Sequence, residues 1–97
     1  MSYTYKIEVY SAAWCPNCGV LKNSLDEAGI KYEVIDCDTE EGMSRASSLG
    51  VRGLPTTVIS ENGNVIRQIV GLQSVSVYAP YGNFVIENAE EVPALNG

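Results

Sequence analysis

The chain has 97 residues, a net charge of −6 and no histidine, and 45% of its residues are hydrophobic. We expect one small globular domain over residues 1–97, because this length supports a single core and no apolar run approaches the ~20 residues that span a bilayer. The six lysines and arginines are scattered, which argues against nucleic acids or anionic membranes as partners.

The first ten residues alternate polar and apolar side chains and contain no long apolar segment followed by a cleavage site. This pattern is not that of a secretory signal peptide, so we expect a cytoplasmic protein. Structural disulfides are rare in that compartment, and a closely spaced cysteine pair there indicates catalysis or metal binding.

The first half of the chain predicts two strand–helix units. Alternating Tyr5, Ile7 and Val9 predict a strand over about 4–10, and residues 16–28 suit a helix that ends before Gly29. A second strand is expected over 31–37.

Thr39 is expected to cap a second helix, which has Met43, Ala46 and Leu49 on one side and ends at Gly50. Acidic residues surround its start, and we interpret them as solvated charge at the positive end of the helix. They are Asp36, Asp38, Glu40 and Glu41.

The next segment predicts a β-hairpin. Strands are expected over 56–60 and 65–70, joined by a turn at Asn62-Gly63. The element order β-α-β-α-β-β, with a right-handed crossover between the first two strands, predicts an α/β fold built on a four-stranded mixed sheet.

Residues 72–97 give the weakest pattern. Pro80 and Gly82 oppose a helix, so we expect irregular structure or short strands there, with SVSVY and YGNFVIE as strand candidates. Tyr78, Tyr81 and Phe84 are expected to cover the sheet.

Cys15 and Cys18 carry the chemistry. Cys15 falls where the first strand turns into the Pro16-started helix, and free N–H groups at that end stabilise a thiolate and lower its pKa. The two-residue spacer brings Cys18 within disulfide reach, and we expect Cys18 to be the more buried of the two.

Other interpretations of the pair remain open. Half a zinc site would need ligands that the chain lacks, since only Cys37 remains as a third sulfur. An iron–sulfur cluster would need sulfur ligands from a second subunit. Cys37 itself is interpreted as a small buried hydrophobe, and a regulatory thiol is the alternative.

The segment WCPNC after a strand, together with GVRGLPT before a hairpin and Gly71 at its end, resembles the thioredoxin/glutaredoxin superfamily. The resemblance covers about residues 4–71. The well-matched core of the domain is therefore 1–71, while 72–97 diverges. The resemblance implies the thioredoxin-like fold.

The resemblance also implies roles for individual residues. Cys15 would be the nucleophile and Cys18 the resolving thiol of a redox-active disulfide, with no metal. Pro55 would be a cis-proline, and the Leu54 backbone would pair with an extended substrate. Substrate contacts are expected from Trp14, Pro16, Leu54, Pro55 and Gly71.

Some positions depart from the family pattern. Val9 stands where thioredoxins carry a buried aspartate, so deprotonation of the resolving thiol would need water or another base. Ala12 stands where glutathione-using glutaredoxins place a lysine, and Gly71–Ser74 lacks their acidic segment.

The resemblance implies a thiol–disulfide oxidoreductase that reduces protein disulfides without a bound cofactor. Its oxidised pair would be reduced again by glutathione or by thioredoxin reductase, and ribonucleotide reductase is a family-typical electron acceptor. The alternatives are a glutathione-dependent glutaredoxin, a non-enzymatic adaptor and an iron–sulfur carrier. We expect a monomer.

Overall fold

Four strands form one mixed sheet in the computed structural model, which describes residues 5–82. The strands are β1 (Tyr5–Ser11), β2 (Glu33–Asp36), β3 (Thr56–Glu61) and β4 (Asn64–Val70). Their order across the sheet is β2-β1-β3-β4, with β1 parallel to β2 and the other pairs antiparallel. This α/β architecture confirms the predicted fold class.

The predicted helices form close to their expected boundaries. Helix α1 (Pro16–Glu27) starts at a proline, and α2 (Glu40–Ser48) is capped by the Thr39 hydroxyl, which accepts a hydrogen bond from the Gly42 N–H at 3.0 Å. The hairpin turn has positive φ at Asn62 (52°) and Gly63 (89°), as an Asn-Gly turn requires.

The three apolar residues that the sequence places on one side of α2 differ in burial. Ala46 is buried, but Met43 is 61% exposed. Gly42 is buried instead, and a Cβ at Gly42 would overlap the Asp36 carbonyl oxygen. The helix therefore approaches the end of β2 through its glycine.

The expectation for the tail is wrong over residues 75–82. They form a third helix, α3 (Val75–Gly82), with Pro80 inside it, so SVSVY is not a strand. Tyr78 is fully buried against the sheet, and Tyr81 packs edge-to-face on Tyr5 with ring centres 5.4 Å apart. Burial of this apolar face outweighs the hydrogen bond that Pro80 cannot donate. Phe84 and most of YGNFVIE lie outside the described residues.

The two faces of the sheet carry separate apolar clusters. The larger one lies on the face covered by α1 and α3 and consists of Ile7, Val9, Leu21, Leu25, Ile30, Ile59, Ile69 and Tyr78. The smaller one lies under α2 and consists of Tyr10, Ile35, Ala46 and Val58. Within residues 5–82, no helix is long and apolar enough to cross a membrane.

Candidate active site

The Cys15–Cys18 pair lies where β1 passes into α1. Cys15 is the N-cap of α1, with extended backbone (φ −102°, ψ 104°), and its Sγ accepts a hydrogen bond from the Cys18 N–H at 3.2 Å. The two side chains form a disulfide, with Cα atoms 5.4 Å apart. The predicted position at a helix N-terminus is confirmed, and there the free N–H groups favour a thiolate on Cys15.

The two sulfur-bearing residues differ in access. Cys15 retains 9% of its surface exposed, whereas Cys18 retains 1%. Cys18 also lies on the face of α1 that carries buried Leu21 and Leu25. A disulfide or thiolate of another molecule therefore has access to Cys15, whereas Cys18 can react only with the sulfur of Cys15.

Trp14 lies at the surface beside the pair rather than in the core. Its side chain is 69% exposed, and its Nε1–H donates to Asp38 Oδ1 at 3.1 Å. The other oxygen of the same carboxylate accepts the Ala13 N–H at 3.2 Å. Asp38 therefore fixes both the backbone and the indole of the segment that leads into Cys15.

The interpretation of Asp38 as solvated charge misses this role. The parallel register pairs Ser11 with Asp36, so the residues two positions further along each strand, Ala13 and Asp38, emerge side by side. The prediction that β1 and β2 are parallel was therefore the signal from which this contact could have been found.

The Leu54-Pro55 peptide bond is cis. The antiparallel register pairs Tyr10 with Thr56, which puts Pro55 at the end of β1 from which the cysteine-bearing segment departs. The Gly71 N–H donates to the Pro55 carbonyl at 2.8 Å. Two distant candidates, Pro55 and Gly71, thus meet at the edge of the sheet that carries the cysteine pair.

An apolar cavity of about 310 Å³ adjoins the same edge. Trp14 and Leu54 line it together with Met43 and Val51 from α2 and the segment that follows it. Met43 is 61% exposed on this surface. The cavity joins the exposed indole to the residue preceding the cis-proline.

The third cysteine has a different environment. Cys37 carries a half-buried free thiol, and its backbone N–H donates to the Ser11 carbonyl at 2.8 Å. Burial raises the pKa of the Cys37 thiol, and the nearby Asp36 and Asp38 carboxylates raise it further. It therefore stays protonated at neutral pH and is a poor nucleophile.

Among the described residues, no group of three or more histidine, cysteine, aspartate or glutamate side chains is arranged to hold a metal ion. Cys37 thus does not join Cys15 and Cys18 in a three-sulfur cluster. The geometry instead suits an exchangeable disulfide beside a docking surface.

Comparison with known proteins agrees with this geometry. The family model described as thioredoxin matches residues 5–79. A thioredoxin of Pseudomonas aeruginosa is 33% identical over 76 residues, covering 74% of this chain and 70% of the relative. A Synechocystis thioredoxin is 33% identical over 64 residues, covering 62% and 60% respectively. The chain thus spans about 60% of the length of several curated relatives it matches.

Solved structures give the same result. A point-mutant thioredoxin from Halobacterium salinarum superposes with a TM-score of 0.69 at 28% identity, covering 81% of this chain and 75% of that protein. Spinach chloroplast thioredoxin f superposes with a TM-score of 0.68 at 19% identity, covering 82% and 75%, which shows the shared fold. The resemblance carried by WCPNC and GVRGLPT is confirmed, and this chain belongs to the thioredoxin family.

Proposed function

We propose that the protein is a thiol–disulfide oxidoreductase that reduces disulfide bonds in other proteins. The observation that carries this proposal is the Cys15–Cys18 disulfide at the N-terminus of α1, with Cys15 the more accessible sulfur. Membership of the thioredoxin family supports it.

The reaction begins from the reduced pair. The Cys15 thiolate attacks one sulfur of a substrate disulfide, forming a mixed disulfide and releasing the other substrate sulfur as a thiolate. Cys18 then attacks Cys15 Sγ as a thiolate, closing the Cys15–Cys18 disulfide and releasing the second substrate sulfur. Two electrons pass from the protein to the substrate, and the two thiol protons end on the released thiols.

Thioredoxins carry a buried aspartate at the position of Val9. Because Val9 is apolar and fully buried, no carboxylate at this position can take the proton from the Cys18 thiol. Water entering beside the mixed disulfide would take this proton. Near neutral pH, this makes the resolving step the one most dependent on solvent access.

Substrate docking would use the surface around Cys15. Trp14 and Met43 are exposed by 69% and 61%, and with Leu54 they border the apolar cavity. An extended substrate segment would pair with the Leu54 backbone beside Pro55 and Gly71, while Pro16 borders the disulfide from α1. These substrate-contact roles are part of the proposal.

The proposed setting is a reducing cytoplasm, where a reductase or glutathione returns electrons to the pair. Ala12 and the Gly71–Ser74 segment lack the charged groups expected of a dedicated glutathione site. We therefore favour a thioredoxin-reductase-like donor, with ribonucleotide reductase as one family-typical acceptor and the monomer as the working form.

The test is reduction of insulin disulfides with dithiothreitol, thioredoxin reductase or glutathione as electron source. Cys15→Ser should abolish catalysis, whereas Cys37→Ser should retain most of it, because the Cys37 thiol stays protonated. Cys18→Ser should accumulate a mixed disulfide, detected by mass spectrometry. Full activity in Cys15→Ser would refute the proposal, and partner binding that survives loss of both cysteines would favour an adaptor.

A further inference from the structure

A second cavity lies on the α2 face of the sheet, away from the cysteine pair. Its volume is about 490 Å³, within the ~300–1,000 Å³ typical of small-molecule sites. It is bounded by β1, α2 and the β3–β4 hairpin and shares no lining residue with the apolar cavity beside Trp14. Its polar lining includes the charged residues Lys6, Glu8 and Arg45, the Tyr10 side chain and three serines.

An ion network forms part of this lining. The Glu8 side chain is only 7% exposed, and its Oε2 accepts from Arg45 Nη2 at 2.6 Å and lies 3.5 Å from Lys6 Nζ. Two cations thus face the Glu8 carboxylate within the cavity, and Lys6 Nζ also lies 3.6 Å from Glu33 Oε1 outside it. Arginine has five N–H donors, so the bond to Glu8 leaves most of the Arg45 guanidinium able to donate elsewhere.

The Tyr10 hydroxyl is the second and independent observation. Tyr10 is fully buried and lines the cavity, and its hydroxyl makes no well-formed hydrogen bond among residues 5–82, although the Arg45 guanidinium is close enough to interact with it. A buried hydroxyl is costly without a partner, so this group is suited to a ligand. Burial and the nearby Glu8 carboxylate raise the pKa of Tyr10, although Arg45 opposes the rise, and the phenol remains a neutral donor.

Three serine hydroxyls add to these donors. Ser44 and Ser48 lie one turn apart on α2, and Ser60 lies on β3 across from them. Hydroxyls, a guanidinium and an ammonium together form a set rich in donors. The charged lining residues Lys6 (+1), Arg45 (+1) and Glu8 (−1) sum to +1, and the Glu33 carboxylate outside the cavity offsets part of the Lys6 charge. Oxygen anions accept charge-assisted hydrogen bonds from groups of this kind.

We propose that this cavity binds a small molecule through an oxyanion, either a phosphate or a carboxylate group. Arg45 and Lys6 supply the positive charge, and the Tyr10 hydroxyl donates a hydrogen bond from the floor of the site. Because the whole chain carries −6, the local cations must overcome a repulsive background, and binding should weaken as salt screens them.

The test is isothermal titration calorimetry of the full chain with inorganic phosphate and, separately, with succinate, each against sodium chloride at equal ionic strength. At least one of the two should bind the wild-type protein, and which one binds identifies the anion class. Tyr10→Phe should weaken that binding about tenfold, the order expected for losing one hydrogen bond to a charged group. Lys6→Gln, a change at a half-exposed side chain, should also weaken it.

Tyr78→Phe is the matched control, because Tyr78 is equally buried and its hydroxyl likewise makes no well-formed hydrogen bond among the described residues, yet it does not line this cavity. It should bind the anion as the wild type does. The proposal is overturned if neither anion binds beyond the chloride control, if Tyr10→Phe or Lys6→Gln binds as tightly as wild type, or if Tyr78→Phe weakens binding equally.

Discussion

The two faces of the sheet differ in polarity, although the same strand, β1, contributes side chains to both. Along β1, Ile7 and Val9 enter the larger apolar cluster under α1 and α3, whereas Glu8 and Tyr10 point to the α2 face. Within residues 5–82, eight buried residues form the first cluster and four form the second. A buried carboxylate and a polar cavity take up the remaining space under α2.

This difference assigns separate tasks to the two faces. The apolar face anchors α1, and therefore the helix end that carries Cys15 and Cys18. The α2 face holds a charge that must be paired to remain buried, and its packing leaves room for a ligand. Stability is thus expected to depend mainly on the first face, and the predictions below test this from the largest effect to the smallest.

The largest effect is expected at Leu25, which is fully buried in the cluster under α1. Leu25→Ala should lower the free energy of unfolding by about 2–5 kcal/mol through lost burial and the cavity it leaves. Urea denaturation followed by circular dichroism measures the change. The comparison on the other face is Val65→Ala, at a smaller side chain that is 46% exposed beside the polar cavity, and it is expected to cost no more than about 0.5 kcal/mol. Equal costs would remove the distinction between the faces.

An intermediate effect is expected at the buried ion pair. Arg45→Leu leaves Glu8 with only Lys6, so we expect a loss of about 1–3 kcal/mol, between the values for buried and exposed pairs because Arg45 is partly exposed. Adding Glu8→Gln removes the stranded charge and should recover part of that loss. If the loss of unfolding free energy in the double variant equals the sum of the losses in the two single variants, the two side chains are not coupled and the Glu8 carboxylate does not depend on Arg45.

The smallest effect is a pH dependence at the edge of the α1 face. The Tyr32 hydroxyl donates to Asp26 Oδ1 at 2.9 Å, and burial, followed by this bond and the Asp26 charge, raises the pKa of Tyr32 from 10.0 to about 12. Its folded pKa lies above the unfolded value, so the neutral phenol stabilises the fold fully below pH 10. That stabilisation is lost as the pH rises toward 12.

Tyr32→Phe should therefore show less loss of stability than the wild type between pH 10 and 12. Urea midpoints measured below pH 10 and near pH 12 test this. A wild type and variant that weaken in parallel would show that Tyr32 is not the titrating group.

The sequence predicted the elements whose signals are local. Pro16 and Thr39 define helix starts, Asn62-Gly63 defines the hairpin, and alternation defines β1 and its neighbours. The position of the Cys15–Cys18 pair at a helix start followed from the adjacent strand and Pro16, whereas the cis Leu54-Pro55 bond was implied only by the resemblance to the superfamily. These features depend on nearby residues, which a single sequence displays directly.

Features set by tertiary packing were missed. Pro80 and Gly82 speak against a helix locally, yet Tyr78 is fully buried, and a Cβ at Gly82 would lie 2.6 Å from Ile30 Cγ2. The glycine is thus needed for close approach rather than for a turn. Likewise, Asp38 binds Trp14 across 24 residues, and Met43 lies exposed beside the apolar cavity that Trp14 lines. Such contacts depend on how the elements are arranged in space.

The position of Trp14, held by its hydrogen bond to Asp38, also determines what the tryptophan fluorescence of this protein reports. Trp14 is the single tryptophan of the chain, and it lies at the surface directly before Cys15. Its emission therefore follows events at the disulfide, such as reduction, mixed-disulfide formation or docking of a substrate. Because the indole is already exposed in the native state, the same emission is a weak signal of unfolding, so stability is better followed by circular dichroism. The protein carries its own optical probe of the active site, separate from any probe of its core.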